Sequence, residues 1–212
     1  MFNLKSTFAV KDIFYTIQGE GANAGRAAVF VRFAGCNGWS GREQDRGKGP
    51  FPCSRWCDTD FVGGRRMHED DLVSSILEIF PKDTGWPMIV FTGGEPALQL
   101  TDSLLDTLLK SVALIAIETN GSLKLPSLAL NNCWITVSPK TEKVIQERVS
   151  ELKLIHPTMD PTKFDYIKSP WRFLQPLHNA DWQKNTAATV AYVKAHPEWR
   201  LSLQTHKYIG IE

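Results

Sequence analysis

The chain has 212 residues, 24 Lys+Arg against 23 Asp+Glu, four cysteines and 42% apolar residues. That length suits one globular domain, residues 1–212, and falls short of the about 250 residues that a complete eight-fold (β/α) barrel uses. A net charge of +1 excludes a protein that coats nucleic acid, and the longest strictly apolar run, Val112–Ile117, is far below the ~20 residues of a membrane span. No apolar signal core opens the chain, so a cytoplasmic protein is expected, partnered with neither nucleic acid nor membrane.

In chain order, Val10–Ile17 reads as a strand paired at an edge and Ala27–Ala34 (AAVFVRFA) as a second strand. Asn37–Pro52 is rich in Gly, Pro and charge and lacks periodicity; ordered loops of that length are usually functional. Glu69–Phe80 reads as a helix, opened by Glu69, Asp70 and Asp71 as the helix dipole favours. A strand over Met88–Thr92 precedes a helix over Ala97–Lys110, where Leu100, Leu104, Leu105, Leu108 and Leu109 recur at helical spacing and Pro96 stands at the start. Strands follow at Leu114–Thr119, Trp134–Ser138, Glu151–Ile155 and Trp171–Gln175, then a helix over Asp181–Ala195 and a last strand over Trp199–Thr205. Near-continuous apolar strands separated by helices imply a covered parallel sheet. Clear helices are fewer than strands. The expected fold is α/β, an incomplete TIM-type barrel with mostly parallel strands and fewer helices than a full barrel.

Three of the four cysteines, Cys36, Cys53 and Cys57, fall in or beside the irregular loop, and Cys133 precedes a strand. Four readings of the cysteines stand at this point. Disulfides suit a secreted protein, and nothing here suggests secretion. A structural zinc would need a fourth ligand, with His68 the nearest histidine at an unusual spacing. Free cysteines often act as small buried hydrophobes, which suits Cys133. The fourth reading is an iron–sulfur cluster, which thiolates hold and which three ligands would leave open at one iron.

Met88–Pro96 (MIVFTGGEP) is an apolar strand followed by two glycines, a carboxylate and a proline. Alone it fits an ordinary strand–turn–helix connection. With the cysteine loop it resembles the radical S-adenosylmethionine superfamily, in which a three-cysteine loop follows the first barrel strand and a GGE motif the second. Within that superfamily the chain resembles the 7-carboxy-7-deazaguanine synthases over nearly its whole length. YTIQGEG (Tyr15–Gly21), VRFAGCN (Val31–Asn37), WSGRE (Trp39–Glu43), CDTDF (Cys57–Phe61), TGGEP (Thr92–Pro96), ETNG (Glu118–Gly121), SPK (Ser138–Lys140), LQP (Leu174–Pro176) and QTHK (Gln204–Lys207) occur in order. One departure is visible: three residues, not the usual two, separate Cys53 from Cys57.

The resemblance implies that Cys36, Cys53 and Cys57 hold a [4Fe-4S] cluster, with residues 37–56 as its loop. It implies S-adenosylmethionine as cofactor, with Trp56 packed on the adenine, Gly93, Gly94 and Glu95 at the methionine ammonium, and Glu118, Asn120, Ser138, Lys140 and Gln175 as further contacts. Mg²⁺ at Thr59, an electron donor such as flavodoxin or ferredoxin, and a homodimer are implied too. The substrate implied is 6-carboxy-5,6,7,8-tetrahydropterin, which a radical ring contraction with loss of ammonia turns into 7-carboxy-7-deazaguanine, on the route to queuosine. Gln18, Glu20, Thr92 and His206 would read the pterin, and Glu212 would reach it from the end of the chain. Arg32 suits the substrate carboxylate through its planar fork, and it sits inside an apolar run where an unpaired charge is costly.

The residues themselves support that layout. Cys36, Thr92–Glu95, Thr119–Gly121, Ser138–Lys140, Gln175 and Gln204–His206 all fall at or just past the C-terminal ends of the expected strands, the edge where parallel barrels build active sites. Two alternatives remain at this level: another radical S-adenosylmethionine enzyme, such as a glycyl-radical activase, and a non-catalytic zinc-binding module.

Overall fold

The computed structural model describes residues 6–82, 85–146 and 148–211. Its strands are β1 (Thr7–Ile17), β2 (Ala27–Phe33), β3 (Arg65–His68), β4 (Met88–Gly93), β5 (Leu114–Thr119), β6 (Trp134–Val137), β7 (Glu151–His156), β8 (Trp171–Pro176) and β9 (Arg200–Leu201). Its helices are α1 (Glu69–Glu78), α2 (Asp102–Leu109), α3 (Ser127–Asn132), α4 (Trp182–Ala195) and α5 (Thr205–Ile209). The strands form one sheet in the order β3-β1-β2-β4-β5-β6-β7-β8-β9. From β2 to β9 every pairing is parallel, and β1 lies antiparallel between β2 and β3. Because β3 and β9 end the order unpaired with each other, the sheet is an open, incomplete barrel.

Alternation of side chains along each strand separates two faces. Val29, Val31 and Phe33 of β2, Ile89 and Phe91 of β4, Ile115 and Ile117 of β5, Ile135 and Val137 of β6, and Leu152 and Leu154 of β7 join one core with Leu72 and Ile76 of α1 and Leu104, Leu105 and Leu108 of α2. Most of these are wholly buried, and truncating one such leucine typically costs 2–5 kcal/mol, roughly. The opposite residues form a smaller cluster, with Ala28, Met88, Val90 and Ala116 buried beneath Phe30, Leu114 and Trp134. Further along the same rows, toward the strand C-termini, stand Arg32, Thr92, Glu118, Lys153 and Gln175. The inner face is therefore apolar at one end and polar at the other.

Three sequence expectations need correction. The helix expected over Ala97–Lys110 is broken into a short 3-10 turn, Pro96–Leu98, and α2. Gln99 leaves the helix because its amide bonds the backbone of Ala9 and Ala34, stitching β1 to β2, and Thr101 caps α2 by accepting from Leu104 N–H at 3.2 Å. The strand expected over Trp199–Thr205 shrinks to β9, and Thr205 opens α5 instead. The edge is not β1: the polar run Arg65–His68, which carries no alternation of apolar residues, pairs outside it as β3. Glu212 lies outside the described residues.

Candidate active site

The polar end of the inner face opens into a cavity of about 420 Å³. Cys36, at the end of β2, and Cys53 and Cys57, beyond the irregular loop, all line it, and none is in a disulfide. A Cβ on Gly38 would stand 2.9 Å from the Phe51 ring and 3.5 Å from the sulfurs of both Cys36 and Cys53, so a side chain at 38 would crowd Phe51 beside the two cysteines. Gly38 N–H donates to Cys36 Sγ at 3.3 Å. Burial pushes the Cys36 thiol up and the Cys53 thiol up to about 11, and each is raised further by the Cys57 charge beside it. Cys133 is buried away from the cavity under the strand core, where burial pushes its thiol up to about 12. It is the inert structural cysteine that the sequence suggested.

The GGE segment shapes the cavity wall beside the end of β2. A Cβ on Gly93 or Gly94 would collide with the backbone of Phe33 or Gly35, so these glycines let β4 press against the end of β2. The bonds Gly94 N–H to Phe33 O and Glu95 N–H to Gly35 O, at 3.1 and 3.0 Å, fix that approach. Glu95 itself is fully buried and does not open on the cavity. Its carboxylate accepts from Ala97 N–H at 3.0 Å, Thr119 Oγ1 at 2.6 Å and Asn120 N–H at 2.8 Å. With its oxygens engaged in this way, Glu95 braces the ETNG turn that faces the cavity.

On the opposite wall lies a buried charge cluster. Lys153, in the middle of β7 and only 3% exposed, donates to Glu20 Oε2 at 2.5 Å and to Glu118 Oε2 at 3.0 Å. Gln175 and Gln204 donate to Glu20 Oε1 at 3.1 and 3.0 Å, and Gln18 to Glu118 Oε1 at 3.3 Å. Burial alone would raise the Glu20 carboxyl; the Lys153 ammonium overrides it and holds the pKa down at about 2. Burial likewise opposes charge on Lys153, and Glu118, Glu20 and Glu151 outweigh it, keeping the ammonium above the usual lysine range. Glu118 and Gln175, expected on the cofactor side, thus share one network with Glu20.

Arg32 stands with its guanidinium 5.3 Å from the centroid of the Phe14 ring, and its Nε is buried with no hydrogen-bond partner. An orphaned guanidinium donor on a cavity wall calls for an anionic ligand. Lys140 donates to Ser138 Oγ at 2.7 Å and sits 5.7 Å from the Trp56 ring centroid, and burial lowers its pKa. Thr59 lines the cavity between Asp58 and Asp60, whose carboxylates are engaged by Lys207 at 2.5 Å and Lys11 at 2.8 Å. His206 lines the mouth beside Gly19, and burial lowers its pKa.

One cavity thus gathers the three cysteines, Trp56, Thr59, Gly93, Gly94, Glu118, Asn120, Ser138, Lys140, Gln175, Gln18, Glu20, Arg32, Thr92 and His206. Sequence reasoning missed Lys153, Trp39, Gln204 as a direct partner of Glu20, and Lys207. Lys153 had a usable signal: it is a cation flanked on both sides by leucine within a strand, as Arg32 is flanked by Val31 and Phe33.

The chain is 47% identical to the 7-carboxy-7-deazaguanine synthase of Burkholderia multivorans over 97% of its own length and 99% of that protein's. It is 46% identical to the synthase of Bordetella pertussis, covering 96% and 99% of the two chains. The chain belongs to the 7-carboxy-7-deazaguanine synthase family. The crystal structure of QueE from Escherichia coli superposes with a TM-score of 0.71 at 26% identity, covering 94% of this chain and 95% of that one. No family model matches the chain. In this member of the synthase family the extra residue between Cys53 and Cys57 is taken up by a tight turn. Pro52–Arg55 form a 3-10 helix, and Cys57 N–H closes on Cys53 O at 2.8 Å, an i→i+4 bond that returns both cysteines to one side.

Proposed function

We propose that the chain converts 6-carboxy-5,6,7,8-tetrahydropterin into 7-carboxy-7-deazaguanine, a radical S-adenosylmethionine reaction that contracts the ring with loss of ammonia. The observation that carries the reading is the single cavity lined by three free cysteines, an arginine whose Nε lacks a partner and a hydrogen-bonded carboxylate pair. The donor set fits a cluster: three thiols stand on one wall of the cavity, one already accepting a backbone N–H, and thiolates are what such clusters take.

When bound, a [4Fe-4S] cluster with S-adenosylmethionine supplies the hydrogen-atom abstraction that starts the ring contraction. The chain's part is to position and to exclude water. Cys36, Cys53 and Cys57 hold the cluster, and Gly38 leaves room beside two of them. Trp56, backed by Lys140, offers a flat face to the adenine, while Gly93, Gly94, Asn120 and Ser138 line the wall that Glu95 braces. The substrate carboxylate goes to Arg32, and its donor-rich ring edge goes to Glu20 and Glu118. Gln18, Thr92 and His206 complete that surface. With Asp58 and Asp60 held by lysines, Thr59 would offer a hydroxyl to Mg²⁺, whose positive charge the substrate carboxylate would balance. A homodimer and a flavodoxin- or ferredoxin-type electron donor belong to the same reading.

No helix among the described residues is long and apolar enough to cross a membrane. The test is anaerobic incubation of the iron- and sulfide-reconstituted protein with dithionite, S-adenosylmethionine and the pterin, followed by chromatography. 7-Carboxy-7-deazaguanine is the expected product. Cofactor cleavage that is indifferent to the pterin would instead point to a different radical enzyme.

A further inference from the structure

Lys153 touches both carboxylates of the cavity's charged wall, and the lone pairs around it can be counted. An ionised carboxylate offers about four acceptor sites. Glu20 uses three of them, for Lys153, Gln175 and Gln204, and Glu118 uses two, for Lys153 and Gln18. What remains is a short row of anionic acceptors on two side chains held by one shared cation. Without that cation, two carboxylates on one buried ligand would repel, and one of them would take up a proton and become a donor.

On the functional reading given above, we propose that Lys153 is a positioning residue that sets ligand specificity: it clamps Glu20 and Glu118 side by side as acceptors, so that the cavity selects a ring edge with adjacent N–H donors, the 2-amino-4-oxo edge of a pterin. Several observations support the clamp. The glutamates come from distant parts of the chain, one after β1 and one on β5, and Lys153 on β7 is their shared contact. The lysine is 3% exposed and its stem is fixed in a strand whose residues are all buried, so the ammonium cannot swing to water. Around Glu20 the other charged groups are His206 from α5 and, further off, Lys140 from the SPK segment; the acidic neighbours of Lys153 are Glu118 and Glu151. Burial lowers the His206 pKa, and the Lys153 ammonium outweighs His206 in keeping Glu20 ionised.

A site that merely needs a filled wall would treat pterins and their 2-oxo analogues alike. A site built of paired acceptors rejects the analogue that replaces the amine by a carbonyl, because buried carboxylates would then face an oxygen.

The experiment is calorimetric titration of the unreactive 6-carboxypterin and of its 2-oxo counterpart, 6-carboxylumazine, into wild type, Lys153→Met and Lys153→Arg, at several pH values. The wild type should prefer the pterin at every pH. Lys153→Met should lose at least about tenfold in pterin affinity, little in lumazine affinity, and should weaken further as pH falls, because an unclamped carboxylate takes up a proton. Lys153→Arg should restore most of the preference. Equal losses for both ligands, or Lys153→Met binding with unchanged preference and no pH dependence, would overturn the proposal. Should Lys153→Met fail to fold, the double variant Lys153→Met/Glu118→Gln, which buries no extra negative charge, answers the same question through the same preference ratio. Wild type that binds the pterin and discriminates against the lumazine but forms no deazaguanine would count against the functional reading and leave the clamp standing.

Discussion

The Lys207 ammonium lies 2.5 Å from Oδ2 of Asp58, so the helix that carries His206 is pinned to the residue that follows Cys57. At its other end α5 is held by Thr205, whose N–H and hydroxyl both donate to Gly19 O. The wall expected to hold the cluster and the wall expected to read the substrate are thereby joined across the cavity mouth. Both partners of the ion pair are partly exposed, so Lys207→Ala should cost less than about 1 kcal/mol of stability. It should nonetheless raise KM for the pterin about fivefold with kcat within about twofold, the signature of lost uniform binding. Swapping the two charges should recover most of the loss. Steady-state kinetics in low and high salt provide the check, since salt should weaken wild type and leave the alanine variant unchanged.

Arg32 carries a buried Nε with no partner, which a substrate carboxylate would satisfy. Arg32→Ala should weaken 6-carboxypterin binding by about tenfold to a hundredfold and leave S-adenosylmethionine binding within about twofold. Calorimetry with each ligand separates the two. Equal losses would mean that the guanidinium supports the wall as a whole.

The cysteines should divide three to one. Cys53→Ala should abolish the cluster, seen as loss of the broad visible absorption and of about four iron per chain after anaerobic reconstitution. Cys133→Ala should keep both and cost about 1 kcal/mol of stability, the usual effect of a small cavity in a core. Iron retained by Cys53→Ala would remove that residue from the ligand set despite its i→i+4 turn with Cys57.

Glu151 gives a pH dependence whose sign is fixed. Burial raises its carboxyl to about 7, against about 4.3 in an unfolded chain. Between those values the folded state binds the proton more tightly, so stability falls as pH rises from about 4.3 to 7 and the cost is fully present above 7. Glu151→Gln, whose amide oxygen can still accept from Ala22 N–H, should remove that slope. It should gain on the order of 2 kcal/mol relative to wild type at pH 8 and close to nothing at pH 5. Denaturant unfolding at the two pH values measures it.

The sequence disclosed most where burial was uniform. β5 matches its apolar run residue for residue, and β4, β7 and β8 each extend theirs by one, because a parallel strand covered on both faces has no polar alternation to blur it. It disclosed least where a short element is shaped by partners far along the chain. β3 is read as polar sequence because its register comes from β1, not from its own pattern. Gln99 breaks the expected helix near its start, so that α2 begins only at Asp102, by bonding residues about 65 and 90 positions away. The site shows the same division. The cysteines and the motifs at strand ends were legible, whereas the buried position of Glu95 and the partners of Lys153 depend on which side of the wall a side chain faces, which spacing does not encode.

Glu20 meets its three side-chain partners at separations of 133, 155 and 184 residues. Closing loops of that length costs entropy before any contact repays it, so these are among the last native contacts that a folding chain can form. During synthesis, the β1–β2 hairpin can pair early while Glu20 waits, an unpaired carboxylate in contact with water, until the segment around Gln204 has left the ribosome and docked. Assembly of the charged wall then reports completion of the fold, and a chain stalled before that point has a barrel start with no place for its ligand.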